Sequence, residues 1–263
     1  MESPGGRSAV MKILVSNDDG VLAPGLKVLA TALKRLGKVY VVAPMEEKST
    51  MGHSLTLHKP LRIQEMGGGF YGINGSPADC VYMAIREVLK GEPDLVVSGP
   101  NRGGNLGQDC YYSGTVSAAR EACILGIPAI ALSVDVAHGS PRNKKGITVH
   151  YDTAARYCVK FLKQVAAKDF PLHTLFNINV PNVAYSRLKG EKITRQGFRH
   201  YSGNVVKRID HRGRPYFWVG GQYKGFHNEK GTDCEAVASG YVSVTPLQLD
   251  CTNYKALEDM LTL

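Results

Sequence analysis

Short runs of valine, isoleucine and leucine punctuate the first half of the chain, at residues 11–16, 39–43, 94–98 and 129–133. Each is too short for a stable helix and is followed by turn-forming residues, so each predicts a buried β-strand. Between the first two runs, Leu26, Leu29, Leu33 and Leu36 recur at helical spacing, and Gly37 is placed to cap that helix at its C-terminus. Ser76-Pro-Ala-Asp79 opens a further helix. There Ser76 can cap, Pro77 fits the first helical position and Asp79 favours the positive end of the dipole, while Gly91 closes the helix after Leu89. A helical run over residues 116–125 and another starting near Asp152 continue the alternation. Strands alternating with helices need crossover connections, which give a mainly parallel sheet covered on both faces. The predicted fold class is α/β, with a Rossmann-like sheet. Further on, residues 204–209 and 215–219 flank Asp210-His-Arg-Gly-Arg214, the pattern of a long β-hairpin projecting from the core.

Composition bounds the class of molecule. At 263 residues the chain can bury a large core without staples, and its six cysteines are scattered with no Cys-x-x-Cys pair, which argues against a disulfide framework or a structural zinc site. A reducing cytoplasm fits that usage, and no apolar stretch approaches the length of a membrane span. Residues 1–10 read as a disordered extension or tag, with Met11 an alternative start. Residues 11–263 read as a single domain, from which 196–224 form a projecting hairpin region. The net charge of +9 is uneven, because residues 187–230 hold eleven Lys or Arg against three carboxylates. Such a surface either steers anionic substrates, binds nucleic acid or is simply a solvated face.

The chemistry gathers where strands end. Asn17-Asp18-Asp19-Gly20 follows the first strand directly. Adjacent carboxylates offer the hard oxygen ligands that Mg²⁺ or Mn²⁺ prefers, and the alternative is a polar turn without further role. After the second strand comes Pro44-Met-Glu-Glu-Lys-Ser49, and after the third a glycine-rich stretch containing Asn101 and Asn105. In an open parallel sheet ligands bind beyond the carboxyl ends of the strands, so these segments are candidates for one site. The glycine-rich stretch matches neither the dinucleotide fingerprint nor the P-loop. Downstream, Tyr112-Ser113-Gly114-Thr115 precedes a helical run. A helix start with exposed amides and two hydroxyls suits a phosphate; the alternative is that Ser113 or Thr115 is an ordinary cap. His53, in the loop after Ser49, has no carboxylate or nucleophile partner assignable from spacing and is read as structural or exposed.

These residues resemble one family, the SurE survival-protein nucleotidases, which are metal-dependent phosphatases of nucleoside monophosphates. The resemblance is carried by Ser16-Asn-Asp-Asp-Gly20, Val42-Ala-Pro44, Ser49 with Gly52-His-Ser-Leu-Thr56, Gly75-Ser-Pro-Ala-Asp-Cys80 and Ser98-Gly-Pro-Asn101. It continues through Asn105-Leu-Gly107, Tyr112-Ser-Gly-Thr-Val116, Asn177-Ile-Asn-Val-Pro181 and Gly240-Tyr-Val-Ser-Val-Thr-Pro246. It implies metal ligands at Asp18, Asp19, Ser49 and Asn101, with Asn105, Ser113, Gly114 and Thr115 around the substrate phosphate. It also implies a divalent cation, Mg²⁺ or Mn²⁺, in each subunit, and catalysis centred on Asp18 and Asp19. The implied substrates are nucleoside 5′-monophosphates, with 3′-monophosphates and polyphosphate as further candidates. The implied assembly is a homodimer or homotetramer formed through hairpin and C-terminal elements, with no membrane and no obligatory nucleic acid. Departures from the family pattern are mild: Ser76 replaces a common Thr, Pro100 a common Ile or Val, and Thr50 a frequent Gly or Ala. None removes an implied ligand.

The reaction expected is hydrolysis of a phosphomonoester by a metal-activated water attacking phosphorus in line, without a covalent intermediate. An aspartyl-nucleophile phosphatase of the haloacid-dehalogenase type fits poorly, because its Asp-x-Asp spacing is absent. A nucleotide-binding regulator, or a nucleic-acid-binding module using the basic segment without catalysis, is the alternative from another class.

Overall fold

The computed structural model describes residues 10–136 and 146–262. The extension proposed over residues 1–10 falls, apart from Val10, outside the described residues. In chain order the elements of the first half are β1 (Lys12–Ser16), α1 (Pro24–Leu33), β2 (Lys38–Pro44), β3 (Ile63–Gly67), β4 (Phe70–Ile73), α2 (Pro77–Met83), β5 (Leu95–Arg102), α3 (Gly114–Ile124) and β6 (Ala129–Asp135). The second half adds α4 (Tyr151–Gln164), β7 (Thr174–Pro181), β8 (Glu191–Ile193), β9 (Arg199–Tyr201), β10 (Asn204–Ile209), β11 (Pro215–Gly220), β12 (Tyr223–Phe226), α5 (Asp233–Ala238), β13 (Val242–Gln248) and α6 (Tyr254–Leu261).

The described residues form a nine-stranded sheet in the order β3-β4-β2-β1-β5-β6-β7-β13-β8. Its centre is parallel, with β1 between β2 and β5 and then β6 and β7 in turn. Antiparallel pairing enters toward the edges, where β3 meets β4 and β13 meets β7. Alternation along each central strand divides the core in two. Ile13 and Val15 pack with Leu26, Leu29, Ala154 and Phe161 under α1 and α4, whereas Leu14 and Val96 pack with Val81, Val116 and Ala119 under α2 and α3. Strands buried on both faces explain the continuous apolar runs. Each fully buried leucine or isoleucine contributes roughly 1.5–3 kcal/mol.

Two local expectations need correction. The first helix ends at Leu33, with Lys34 rather than Gly37 as its C-cap, and Leu36 closes a turn by donating its N–H to the Leu33 carbonyl at 2.8 Å. Gly37 serves a different purpose. A Cβ there would stand 2.1 Å from the Met11 carbonyl oxygen, so glycine permits the close approach of β2 to the start of β1. The strand expected over residues 94–98 also runs past Ser98, as β5, to Arg102. After an irregularity between Ser98 and Asn101 it resumes pairing with β6 at Asn101–Ser133, which places Asn101 inside a strand end rather than in a free loop.

The capping signals of α2 hold in full. The Ser76 hydroxyl accepts from the Asp79 N–H at 3.0 Å, and the Asp79 carboxylate accepts from the Ser76 N–H at 2.7 Å, a reciprocal capping box. The helix passes into one wider turn over Ala84–Val88, and Gly91 ends it by donating to the Ile85 carbonyl. β10 and β11 form the predicted hairpin, and every residue in both strands is exposed. Five of the cysteines are buried and Cys251 is exposed, all as free thiols.

Candidate active site

Asp18 and Asp19 lie just past the end of β1, in a turn closed by Asn17, whose side-chain amide donates to the Gly20 carbonyl at 3.0 Å and whose oxygen accepts from the Gly20 N–H at 3.2 Å. The two carboxylates then diverge. Asp18 is buried, and its Oδ1 accepts the Thr115 hydroxyl at 2.5 Å, while Asp19 Oδ2 accepts the Arg102 N–H at 3.3 Å. The ends of β1 and β5 and the first turn of α3 therefore meet around these carboxylates.

The α3 N-terminus explains part of the Tyr112-Ser-Gly-Thr signal. Ser113 is the N-cap, with its hydroxyl accepting from the Val116 N–H at 3.0 Å. Thr115 does not cap; it ties the helix to Asp18. At Gly114 a Cβ would come within 2.7 Å of the Asp18 Cβ and 2.9 Å of its Oδ2, so the helix start touches the carboxylate only because this residue has no side chain. First-turn amides of a helix lack intrahelical acceptors and carry the positive end of its dipole, which is an anion-binding arrangement.

The segment carrying Ser49 is tied to the same neighbourhood by the backbone of its neighbour. The preceding Lys48 N–H donates to the Asp18 carbonyl at 2.7 Å, whereas the Ser49 hydroxyl itself donates to Glu47 at 2.7 Å. Asn101 turns its amide group to the Gly103 carbonyl at 2.8 Å, leaving its side-chain oxygen for other partners. Among the described residues no group of three or more His, Cys, Asp or Glu is placed to hold a metal. A cation here would be held by two carboxylates supplemented by neutral hydroxyl and amide oxygens. That oxygen-only donor set fits a hard divalent ion and is a poor fit for zinc.

Asn105 is fixed from several directions. Its N–H donates to Asn179 Oδ1 at 2.8 Å, its side-chain amide donates to Ser133 Oγ at 2.8 Å, and its carbonyl accepts from the amides of Asn177 at 2.8 Å and Asn179 at 3.0 Å. The glycine-rich stretch is pinned again at Gly107, whose N–H donates to the fully buried Asp233 at 2.8 Å. Beyond it, Asp109 pairs with Arg199 at 2.7 Å and accepts the Tyr201 hydroxyl at 2.5 Å, which joins β9 to the same loop. Burial works against the Arg199 charge, but Tyr201 and Asp109 outweigh it and hold its pKa above the usual arginine range.

Ser133, Asn177, Asn179 and Asp233 support the site without having stood out as site residues in the sequence. The signal was present in part: Asn177 and Asn179 recur at period two in an otherwise apolar strand, which puts two amides on one buried face. His53 also gains the carboxylate partner that spacing could not reveal, since its Nε2 lies 2.8 Å from Glu121 Oε2.

Compared with known proteins, residues 13–203 match the family described as Survival protein SurE. The chain belongs to the SurE family. A relative from Geobacter sulfurreducens named 5′-nucleotidase SurE is 49% identical over 248 residues, covering 94% of this chain and 91% of the relative. One of the same name from Aquifex aeolicus is 47% identical over 249 residues, covering 94% of this chain and 96% of the relative. The crystal structure of the SurE protein from Aquifex aeolicus superposes with a TM-score of 0.80 at 45% identity, covering 95% of this chain and 98% of that one. SurE membership agrees with the mostly parallel sheet and the helices on both of its faces.

Proposed function

We propose that this chain is a 5′-nucleotidase that hydrolyses nucleoside monophosphates to nucleoside and phosphate at the Asp18–Asp19 site. The observation that carries the reading is the hydrogen bond between Asp18 and Thr115, which joins paired carboxylates to the N-terminus of a helix. A phosphoryl group seated on the α3 amides would have its oxygens beside the acidic pair. The relatives named 5′-nucleotidase SurE support the same reaction.

In this reading Asp18, Asp19, Ser49 and Asn101 hold a divalent cation, Mg²⁺ or Mn²⁺. When bound, the cation offsets charge on the phosphoryl oxygens and makes a water more acidic. Asp18 and Asp19 fix its position, and tight cation binding makes either one a poor proton acceptor. Gly114 and Thr115 present amides to the phosphate, Ser113 keeps that first turn formed, and Asn105 lines the phosphate site, held by Ser133 and Asn179. The water oxygen bonds to phosphorus as the ester P–O bond breaks, and the proton the water gives up balances the one the departing nucleoside oxygen takes on, leaving nucleoside and phosphate.

The assembly proposed is a homodimer or homotetramer. Val205, Phe217, Trp218 and Val219 are exposed on a two-stranded hairpin, an element that is marginal alone and gains stability when covered. Among the described residues no helix is long and apolar enough to cross a membrane. A cytoplasmic location is part of the proposal.

Phosphate release from a panel of 5′- and 3′-nucleoside monophosphates, with Mg²⁺, Mn²⁺ or excess chelator, tests the reading. Release that requires a cation and ranks 5′-monophosphates first is the expected result. Salt-dependent binding of nucleotides or nucleic acid without release under any cation would overturn it in favour of a non-catalytic binding protein.

A further inference from the structure

The loop carrying Ser49 is fastened to the body of the protein at several points. Gly52 donates its N–H to the Tyr112 carbonyl at 3.1 Å, the Ser54 carbonyl accepts the Ser76 hydroxyl at 2.6 Å, and Thr56 donates its N–H and hydroxyl to Asp79 at 2.8 and 2.6 Å. Just before the first of these points the backbone is held in a conformation it would not choose freely. Thr50 sits at φ 62°, a left-handed setting that is unusual for a β-branched residue and persists only where the surroundings enforce it.

One tether differs in kind. His53 Nε2 meets Glu121 Oε2 at 2.8 Å, and the Glu121 side chain is only 6% exposed. A carboxylate buried on a helix face is costly unless a partner compensates it, so the two residues hold each other in place. Ser113, Ser117 and Glu121 recur at helical spacing and share one face of α3. The His53 tether therefore binds the Ser49 loop to the helix whose first turn faces Asp18.

We propose that His53 and Glu121 are a positioning pair that keeps the Ser49 loop in register with the N-terminal turn of α3, so that cation and phosphate bind as a coupled unit. The proposal rests on the nucleotidase reading and assigns neither residue contact with substrate. Through this pair, a phosphate that seats on α3 also sets the loop that completes the cation site, and the cation returns the effect equally. Without it the two half-sites move independently.

The test uses the full chain and Mn²⁺, with free Mn²⁺ followed by electron paramagnetic resonance in the presence and absence of inorganic phosphate. In the native protein phosphate tightens Mn²⁺ binding. In Glu121→Met, which keeps the length of the side chain but offers no oxygen acceptor, and in His53→Ala, that tightening falls at least fivefold, KM rises more than kcat falls, and amide exchange in residues 49–54 speeds up. His53→Gln, which can still donate to Glu121, recovers most of the coupling. Where His53→Ala fails to fold, Glu121→Met decides. Variants whose coupling and KM stay within twofold of native, in a protein that does release phosphate with Mn²⁺, overturn the positioning pair alone. A native protein that neither binds Mn²⁺ nor releases phosphate overturns the nucleotidase reading and this pair with it.

Discussion

Gly114→Ala places a single methyl group where the candidate site is tightest. The new Cβ would stand 2.7 Å from the Asp18 Cβ, 2.9 Å from Asp18 Oδ2 and 3.0 Å from the Pro77 Cγ. Carbon contacts are comfortable from about 3.5 Å, so either the Asp18 side chain or the start of α3 must yield by roughly 1 Å. Overpacking of this kind costs about 1–3 kcal/mol, which in a chain of this length lowers Tm by roughly 2–12 °C. The catalytic loss should be disproportionate. A misplacement near 1 Å in a catalytic group costs on the order of 10²-fold in rate. The assay is kcat/KM for a 5′-nucleoside monophosphate with saturating Mn²⁺, alongside a thermal melt. Gly203→Ala is the control, because no heavy atom lies within 4 Å of the Cβ it would add. A Gly114→Ala protein that keeps more than a third of native kcat/KM would refute the claim that Asp18 must stay against the helix start.

Other perturbations separate the site from its supports. Thr115→Val removes the hydroxyl bonded to Asp18 at 2.5 Å while keeping the side-chain shape; a lost charge-assisted bond of about 1.5–3 kcal/mol should lower kcat/KM by tenfold or more, and Thr115→Ser should restore it. Asp79→Ala leaves the Ser76 N–H and both Thr56 donors without their acceptor. It should cost roughly 3–5 kcal/mol, and a fall in Tm below about 5 °C would contradict that reading. Trp218→Asp puts a charge on the exposed face of β11, and sedimentation at micromolar concentration should shift toward a smaller species. An unchanged sedimentation coefficient would place the subunit contact elsewhere.

What the sequence disclosed follows from the range of the interactions involved. The α2 capping box spans three residues, so Ser76, Pro77 and Asp79 announced it. The parallel strands announced themselves because burial on both faces leaves uninterrupted apolar runs. Gly37 misled because a glycine after a helix is usually a left-handed cap, whereas here the demand comes from the Met11 backbone far back in the chain. The positions of Asp18, Asp19 and Thr115 along the chain were readable, but the bond that makes Thr115 a support for Asp18 rather than a cap spans a separation of 97 residues. The His53–Glu121 contact spans 68, and the Asn105–Asn179 contact spans 74. Such pairs are created by the order of strands in the sheet, which local pattern does not encode.

The role of the Asp18–Asp19 site is tested by comparing phosphate release from a 5′-nucleoside monophosphate by the native chain and by Asp19→Ala, each with Mn²⁺ and with excess chelator. Asp19 is the better choice because Asp18 is buried and bonded to α3, whereas Asp19 lies nearer the surface, so its loss spares the packing. Release should require the cation in the native protein and fall at least about 10³-fold in the variant, the scale of losing a group that stabilises the transition state, with Tm nearly unchanged. Substantial turnover by a folded Asp19→Ala protein, or native turnover indifferent to chelator, would contradict it.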